Sequence, residues 1–175
     1  SDNSTTIAAT ALLEVVHRLQ VFVVENAKSA RATLKRYGYP RPLAEARLLT
    51  LNEHARAADL EAALAPLLAG TDVGLLSDAG CPAVADPGAD LIRLAHQHGV
   101  HVVPLVGPSS ILLALMASGL NGQRFRFCGY LPVEGASRRA AIGALEERSR
   151  RDDETQIFIE TPYRNVTLFA ALLEA

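Results

Sequence analysis

The chain has no tryptophan, one methionine and two cysteines, and only 5% of its 175 residues are aromatic. Its core must therefore be aliphatic, built mostly from leucine, alanine and valine, which suits helices laid on parallel strands. Cys81 and Cys128 are too few for a disulfide framework, and neither stands in a CxxC or Cys/His spacing typical of zinc. A reducing cytoplasm is the expected compartment. No run approaches the roughly 20 apolar residues that span a bilayer, and the opening SDNSTTIAAT lacks the basic start of a signal peptide, so no membrane partner is expected. An excess of one charge is missing too: 17 Lys and Arg face 19 Asp and Glu, a net charge of −2 at pH 7. That balance gives no global footprint for nucleic acid, although a local basic face fits inside it.

The most informative stretch runs from Val73 to Ser118. Two apolar runs, Val73 to Leu76 and Val100 to Val106, each end in small turn-forming residues, and each turn leads to a helical pattern opened by proline. The pattern predicts strand, loop, helix, twice over. The first helix is expected to open at Asp86-Pro87, an N-cap acceptor followed by proline in the first turn. The second opens at Gly107-Pro108-Ser109-Ser110. In an open parallel sheet the loops at the carboxyl ends of the strands share one edge, so both turns are expected to line one crevice that holds a ligand.

Taken from its start, the chain predicts a helix over Thr10 to Gln20 and a buried strand over Val21 to Val24. A helix follows on Ala27, Ala30, Leu34 and Tyr37, stopped by Gly38. Leu48 to Leu51 is a short strand, and Asp59 to Leu68 a helix with Leu60, Ala63, Leu64, Leu67 and Leu68 inward. After the central stretch, Gly119 to Gln123 reads as a linker. Phe125 to Cys128 and Gln156 to Ile159 are strands, with a charged helix over Ser137 to Arg150 between them. Thr161-Pro162 opens a last helix with Leu168, Phe169 and Leu172 toward its core. The alternation of short strands and ten-residue helices argues for an α/β fold.

Five blocks stand in order along this frame: VENAKSAR, LNEHA, SDAGCPAVADPG with VVPLVGPSS, FRFCGYLPVEGASRR and IFIETPYRN. Together they resemble the tetrapyrrole methylase family of S-adenosylmethionine-dependent methyltransferases. The SDAG and ETPYR blocks are closer to the branch acting on small-subunit ribosomal RNA than to the corrin and porphyrin methylases. The resemblance implies an N-terminal doubly wound, mostly parallel sheet over 1–120, and a smaller α/β domain with a mixed sheet beginning at 125. The cofactor, S-adenosyl-L-methionine, would lie in the cleft between them, and the protein would work as a homodimer. The SDNSTT start resembles residues just after the family's first strand, and the family's last strands lie beyond Ala175, so a piece of a longer protein is expected. Cys81 stands where the family often has threonine, and Glu25-Asn26 replaces an acidic pair common in the ribosomal RNA branch.

Methyl transfer from a sulfonium is an in-line displacement, so the protein chiefly aligns donor and acceptor, and no metal is required. The resemblance places the cofactor against Asp78, Ala79, Gly80 and Val84, and against Ser109 and Ser110. A tight strand-to-helix turn would favour Asp and Gly in any case, and capping would explain one of the serines equally well. A ribose hydroxyl attacks well only when its proton has an acceptor. Glu25, His54 and Glu160 each follow a predicted strand and are the candidates; His54 also reads as a plain loop histidine, and Glu160 with Thr161 as a helix cap. Lys28, Arg31 and Arg164 are candidates for RNA phosphate, against the alternatives of a solvated helix face and a simple ion pair. The leading expectation is 2′-O-methylation of ribosomal RNA. The alternatives are methylation of a tetrapyrrole-like or other small acceptor, and a cofactor-binding module without turnover.

Overall fold

A computed structural model describes the backbone of residues 3–174 and the side chains of residues 10–174. Residues 1 and 2 of the SDNSTT start lie outside the described residues. By internal contacts the chain parts into two compact units, Ser1–Pro108 and Ser109–Ala175.

The first unit contains α1 (Asn3–Arg18), β1 (Val21–Val24), α2 (Ala27–Arg36), β2 (Arg47–Thr50), α3 (Ala57–Leu68), β3 (Val73–Leu76) and α4 (Ala89–Gln97). Its three strands form one parallel sheet in the order β2-β1-β3. The central VFVV run is buried at all four positions because helices cover both faces of the sheet. Alternation along β1 sends Phe22 and Val24 into a cluster with Val16, Ala30, Leu34 and Tyr39, and Val23 into another with Leu51, Ala63, Leu64 and Leu91. Asn26 caps α2, its Oδ1 accepting from the backbone N–H of Lys28 at 2.8 Å and of Ser29 at 3.3 Å. Gly38, at φ +66°, follows the helix's last turn as its spacing predicted.

Two expectations for the central stretch are overturned. The helix after β3 does not open at Asp86-Pro87: α4 begins at Ala89, and Gly88 at φ +123° is its N-cap. A side-chain cap needs an extended residue directly before the first helical turn, and here the chain must first reverse past Leu75, which only the glycine permits. The apolar run from Val100 to Val106 is not a strand, since residues 100–109 carry no regular structure until α5. Hydrophobicity alone does not make a strand; a partner ladder is needed, and among the described residues none pairs with this run or with the outer edge of β3. Val103 and Val106 are accordingly 62% and 81% exposed.

A methyl group at Gly88 would come within 2.8 Å of Leu75 Cδ2, on a backbone that L residues rarely adopt. Gly88→Ala is expected to destabilise the chain by about 1–3 kcal/mol, read as a lower urea midpoint at unchanged slope.

The second unit contains α5 (Ser110–Ser118), β4 (Phe125–Tyr130), α6 (Gly135–Asp152), β5 (Thr155–Ile159), a 3-10 turn (Pro162–Arg164) and α7 (Asn165–Glu174). β4 and β5 pair in parallel, Phe125 opposite Thr155. Ile142, Leu168 and Ala171 pack with Leu131 in its core. Phe169, expected inward, is 62% exposed. Leu168 and Ala171, three residues apart, form the inward row of α7, and Leu172, also expected inward, is 36% exposed.

Candidate active site

The register of the sheet decides what meets at its carboxyl edge. Val24 lies opposite both Thr50 and Leu76, so the turns beginning at Glu25, Leu51 and Ser77 leave the sheet at one level. From the second turn, Asn52 Oδ1 accepts the His54 backbone N–H at 2.9 Å. The His54 ring is 85% exposed and lies 3.5 Å from Glu53 Oε1.

The first and third turns are tied together. Ser29 Oγ on α2 donates to Asp78 Oδ1 at 2.5 Å. Next to it, Ser77 Oγ contacts the Asp86 carboxylate and lies 2.8 Å from the Ala79 carbonyl oxygen. Between these ties the loop holds Ala83 and Ala85 in the left-handed region, at φ +65° and +58°. Each such alanine costs about 1–2 kcal/mol, so the surrounding bonds hold the loop in a shape it would otherwise leave. Val84, between the two alanines, is 48% exposed. Apart from Asp86 Oδ2 at 4.0 Å, nothing crowds the position of a Cβ on Gly80, and the turn is open to a ligand there.

Glu25 stands among these groups. Its carboxyl is raised from the usual 4.5, first by burial and then by the negative charges of Asp78 and Asp86, with the Asp78 backbone N–H pulling partly the other way. An acid placed so holds its proton more readily than a free carboxylate, which makes it a stronger acceptor. Lys28 and Arg31 are exposed on the N-terminal half of α2, whose first turn carries no acid. A cation near a helix N-terminus opposes the helix dipole, so Lys28 sits where an arriving anion relieves the local field.

The second unit holds the remaining candidates. Ser109 occupies the N-cap position of α5 and is buried, yet its hydroxyl makes no capping bond; Ser110 is the first helical residue and exposed. The Glu160 side chain is only 4% exposed and forms an ion pair with Arg164 at 3.0 Å. The same Oε1 accepts the Thr161 backbone N–H at 2.7 Å and the Thr161 hydroxyl at 3.2 Å. The Thr161 N–H, followed by the Arg164 charge, holds this carboxyl below its ordinary value. Glu160 and Arg164 thus engage each other, and the Arg164 guanidinium also lies 5.3 Å from the Tyr163 ring centre. Beside Glu160 opens a groove of about 500 Å³ lined by Phe158, Asn165, Val166, Phe169 and Leu172.

Sequence reasoning missed Ser29, Ser77 and Asp86. Nothing in the spacing of Ser29 and Asp78, 49 residues apart, shows that α2 and the β3 turn touch, and Asp86 carried a helix-capping signature instead. Among the described residues no group of three or more His, Cys, Asp or Glu could hold a metal ion, and no described helix is long and apolar enough to cross a membrane.

Polar side chains gathered where parallel strands end define an α/β protein with a candidate ligand site at its sheet edge. Comparison with known proteins narrows this class. No family model matches the chain. It is 36% identical over 152 residues to the ribosomal RNA small subunit methyltransferase I of Escherichia coli O157:H7, covering 87% of this chain and 50% of the relative. It is 37% identical over 163 residues to the protein of the same name from Mesorhizobium japonicum, covering 93% and 52%. A third, from Micromonospora olivasterospora, is 41% identical over 128 residues, covering 73% and 40%. The chain belongs to the tetrapyrrole methylase family. It spans about half the length of the curated relatives it matches.

Proposed function

We propose that the chain is part of an S-adenosylmethionine-dependent methyltransferase that methylates a ribose 2′-hydroxyl of small-subunit ribosomal RNA. The single observation that carries this reading is the tie between Ser29 and Asp78 at the sheet's carboxyl edge. It joins the turn that would take the methyl donor to the helix that presents Lys28 and Arg31 to an acceptor. The name the relatives share, ribosomal RNA small subunit methyltransferase I, supports methyl transfer to that RNA.

When bound, S-adenosylmethionine supplies an electrophilic methyl on a sulfonium. The protein's own residues would do the rest. The Asp78 carboxylate, with one oxygen held by Ser29, offers the other to hydroxyl or ammonium donors of the cofactor, and Ala79, Gly80 and Val84 let it approach closely. Ser109 and Ser110 would also contact the cofactor, as the family resemblance implies. Lys28, Arg31 and Arg164 would contact RNA phosphates, positioning rather than reading sequence. Of the three candidate bases, Glu25 suits the role best: its raised carboxyl favours proton capture, Glu160 is engaged with Arg164, and His54 is largely exposed. The protein is proposed to act in the cytoplasm as a homodimer.

Calorimetry on the full-length protein should detect binding of S-adenosylmethionine and of its demethylated product but not of NAD. Radiolabelled methyl should then pass to ribosomal RNA and be recovered in a 2′-O-methylated nucleoside; label confined to small molecules would instead support a tetrapyrrole-like acceptor. Binding without transfer to any acceptor would leave the module reading. RNA affinity should fall with salt, and Lys28→Ala with Arg31→Ala should flatten the log–log slope by about 0.7 for each lost phosphate contact.

A further inference from the structure

We propose that Asp86 and Ser29 are positioning residues of the donor site, Asp86 holding Ser77 and Ser29 holding Asp78, so that the turn after β3 keeps the one shape in which Asp78 can receive the donor. The proposal rests on the function proposed above. Its physical basis lies in where the bonds fall. Ser77 and Asp78 are adjacent, and each is tied to a different part of the fold: Ser77 to the far end of its own loop, Asp78 to α2. Neither tie serves a helix. Asp86 has no capping role, because Gly88 occupies the N-cap of α4. Ser29 has the Asn26 carbonyl oxygen at 2.9 Å as an alternative acceptor that every helical serine at this position could use.

The loop also stores strain. Ala83 and Ala85 sit in the left-handed region on either side of exposed Val84, while the Ala83 N–H donates to the Pro87 carbonyl at 3.3 Å and the Val84 N–H to the Cys81 carbonyl at 3.1 Å. Without the Ser77–Asp86 tie fewer bonds would have to keep both alanines strained. The loop would then relax, and the donor would have to restore its shape on binding, which weakens affinity without altering the chemical step.

The test uses the full-length protein carrying Asp86→Ala, Asp86→Asn, Ser29→Ala or Ser29→Thr. Asp86→Ala is expected to raise KM for S-adenosylmethionine about tenfold and Ser29→Ala about fivefold, with KM for RNA within about twofold in both and kcat within about twofold in Ser29→Ala, which leaves the charges around Glu25 in place. Asp86→Asn and Ser29→Thr keep an acceptor and a hydroxyl, and should recover most of the loss. Donor affinity within about twofold of the parent in both alanine variants would overturn the proposal, as would an equal fall in kcat in Ser29→Ala. If Asp86→Ala does not fold, Ser29→Ala and Asp86→Asn still decide. If the parent protein binds no S-adenosylmethionine, the functional reading fails and the positioning role is judged by amide hydrogen exchange: faster exchange across residues 77–88 in Asp86→Asn and Ser29→Ala supports the ties, and unchanged exchange refutes them.

Discussion

Replacing Glu25 with glutamine is expected to make the protein more stable at neutral pH while lowering kcat by about two to four orders of magnitude. The two effects share one cause. The folded protein raises the Glu25 carboxyl above 4.5 through burial and the neighbouring charges of Asp78 and Asp86, so folding disfavours the ionised form. Stability linked to this group is fully present below its unfolded value, where it is protonated in both states, and is lost as pH rises through the higher folded value. A neutral amide at position 25 avoids that loss. The urea midpoint of Glu25→Gln should therefore exceed the parent's at pH 7, and the two should converge well below pH 4.5. The same substitution removes the proton acceptor, and binding of S-adenosylmethionine should change little because the Ser29–Asp78 tie is untouched. A stabilised protein with full turnover would remove Glu25 from the reaction and leave its raised value a consequence of crowding alone.

Such a trade of stability for reactivity explains why the site was only partly legible in the sequence. Val21–Val24 and Val73–Leu76 were readable as strands because a parallel sheet covered on both faces needs uninterrupted apolar runs, and both appear as expected. Gly38 was readable as a helix stop for a local steric reason. The Val100 to Val106 run carries the same apolar signal, yet pairing is a property of two segments and no pattern within one reveals whether its partner is present. Asp86 failed differently. Its local chemistry suits a cap, but the tertiary contact with Ser77 uses the carboxylate instead. Glu25 and Lys28 stood out as candidates because residues that follow parallel strands share an edge, and Asp78 did so through the family resemblance. Their mutual electrostatics depend on α2 meeting the β3 turn, and that meeting depends on how tightly β1 and β3 pack against each other.

Phe22 fills the space beside that pairing. It is fully buried at the middle of the central strand, with its ring edge-on to Tyr39 at 5.9 Å and 74°. Opposite it β3 carries Gly74, and a Cβ there would lie 2.8 Å from Phe22 Cδ1 and 2.9 Å from Leu19 Cδ1. The glycine's missing side chain is the space the ring fills. Phe22→Ala is expected to destabilise the protein by about 3–5 kcal/mol, since a cavity between rigid strands collapses poorly. Gly74→Ala should cost about 1–3 kcal/mol from the other direction, because a buried ring has nowhere to move. Combined, the two changes should cost less than their sum, the new methyl entering room the ring has left, with Leu19 limiting the relief. A double-mutant cycle in urea measures this coupling directly. Strict additivity would mean that Phe22 and Gly74 do not share the space between β1 and β3.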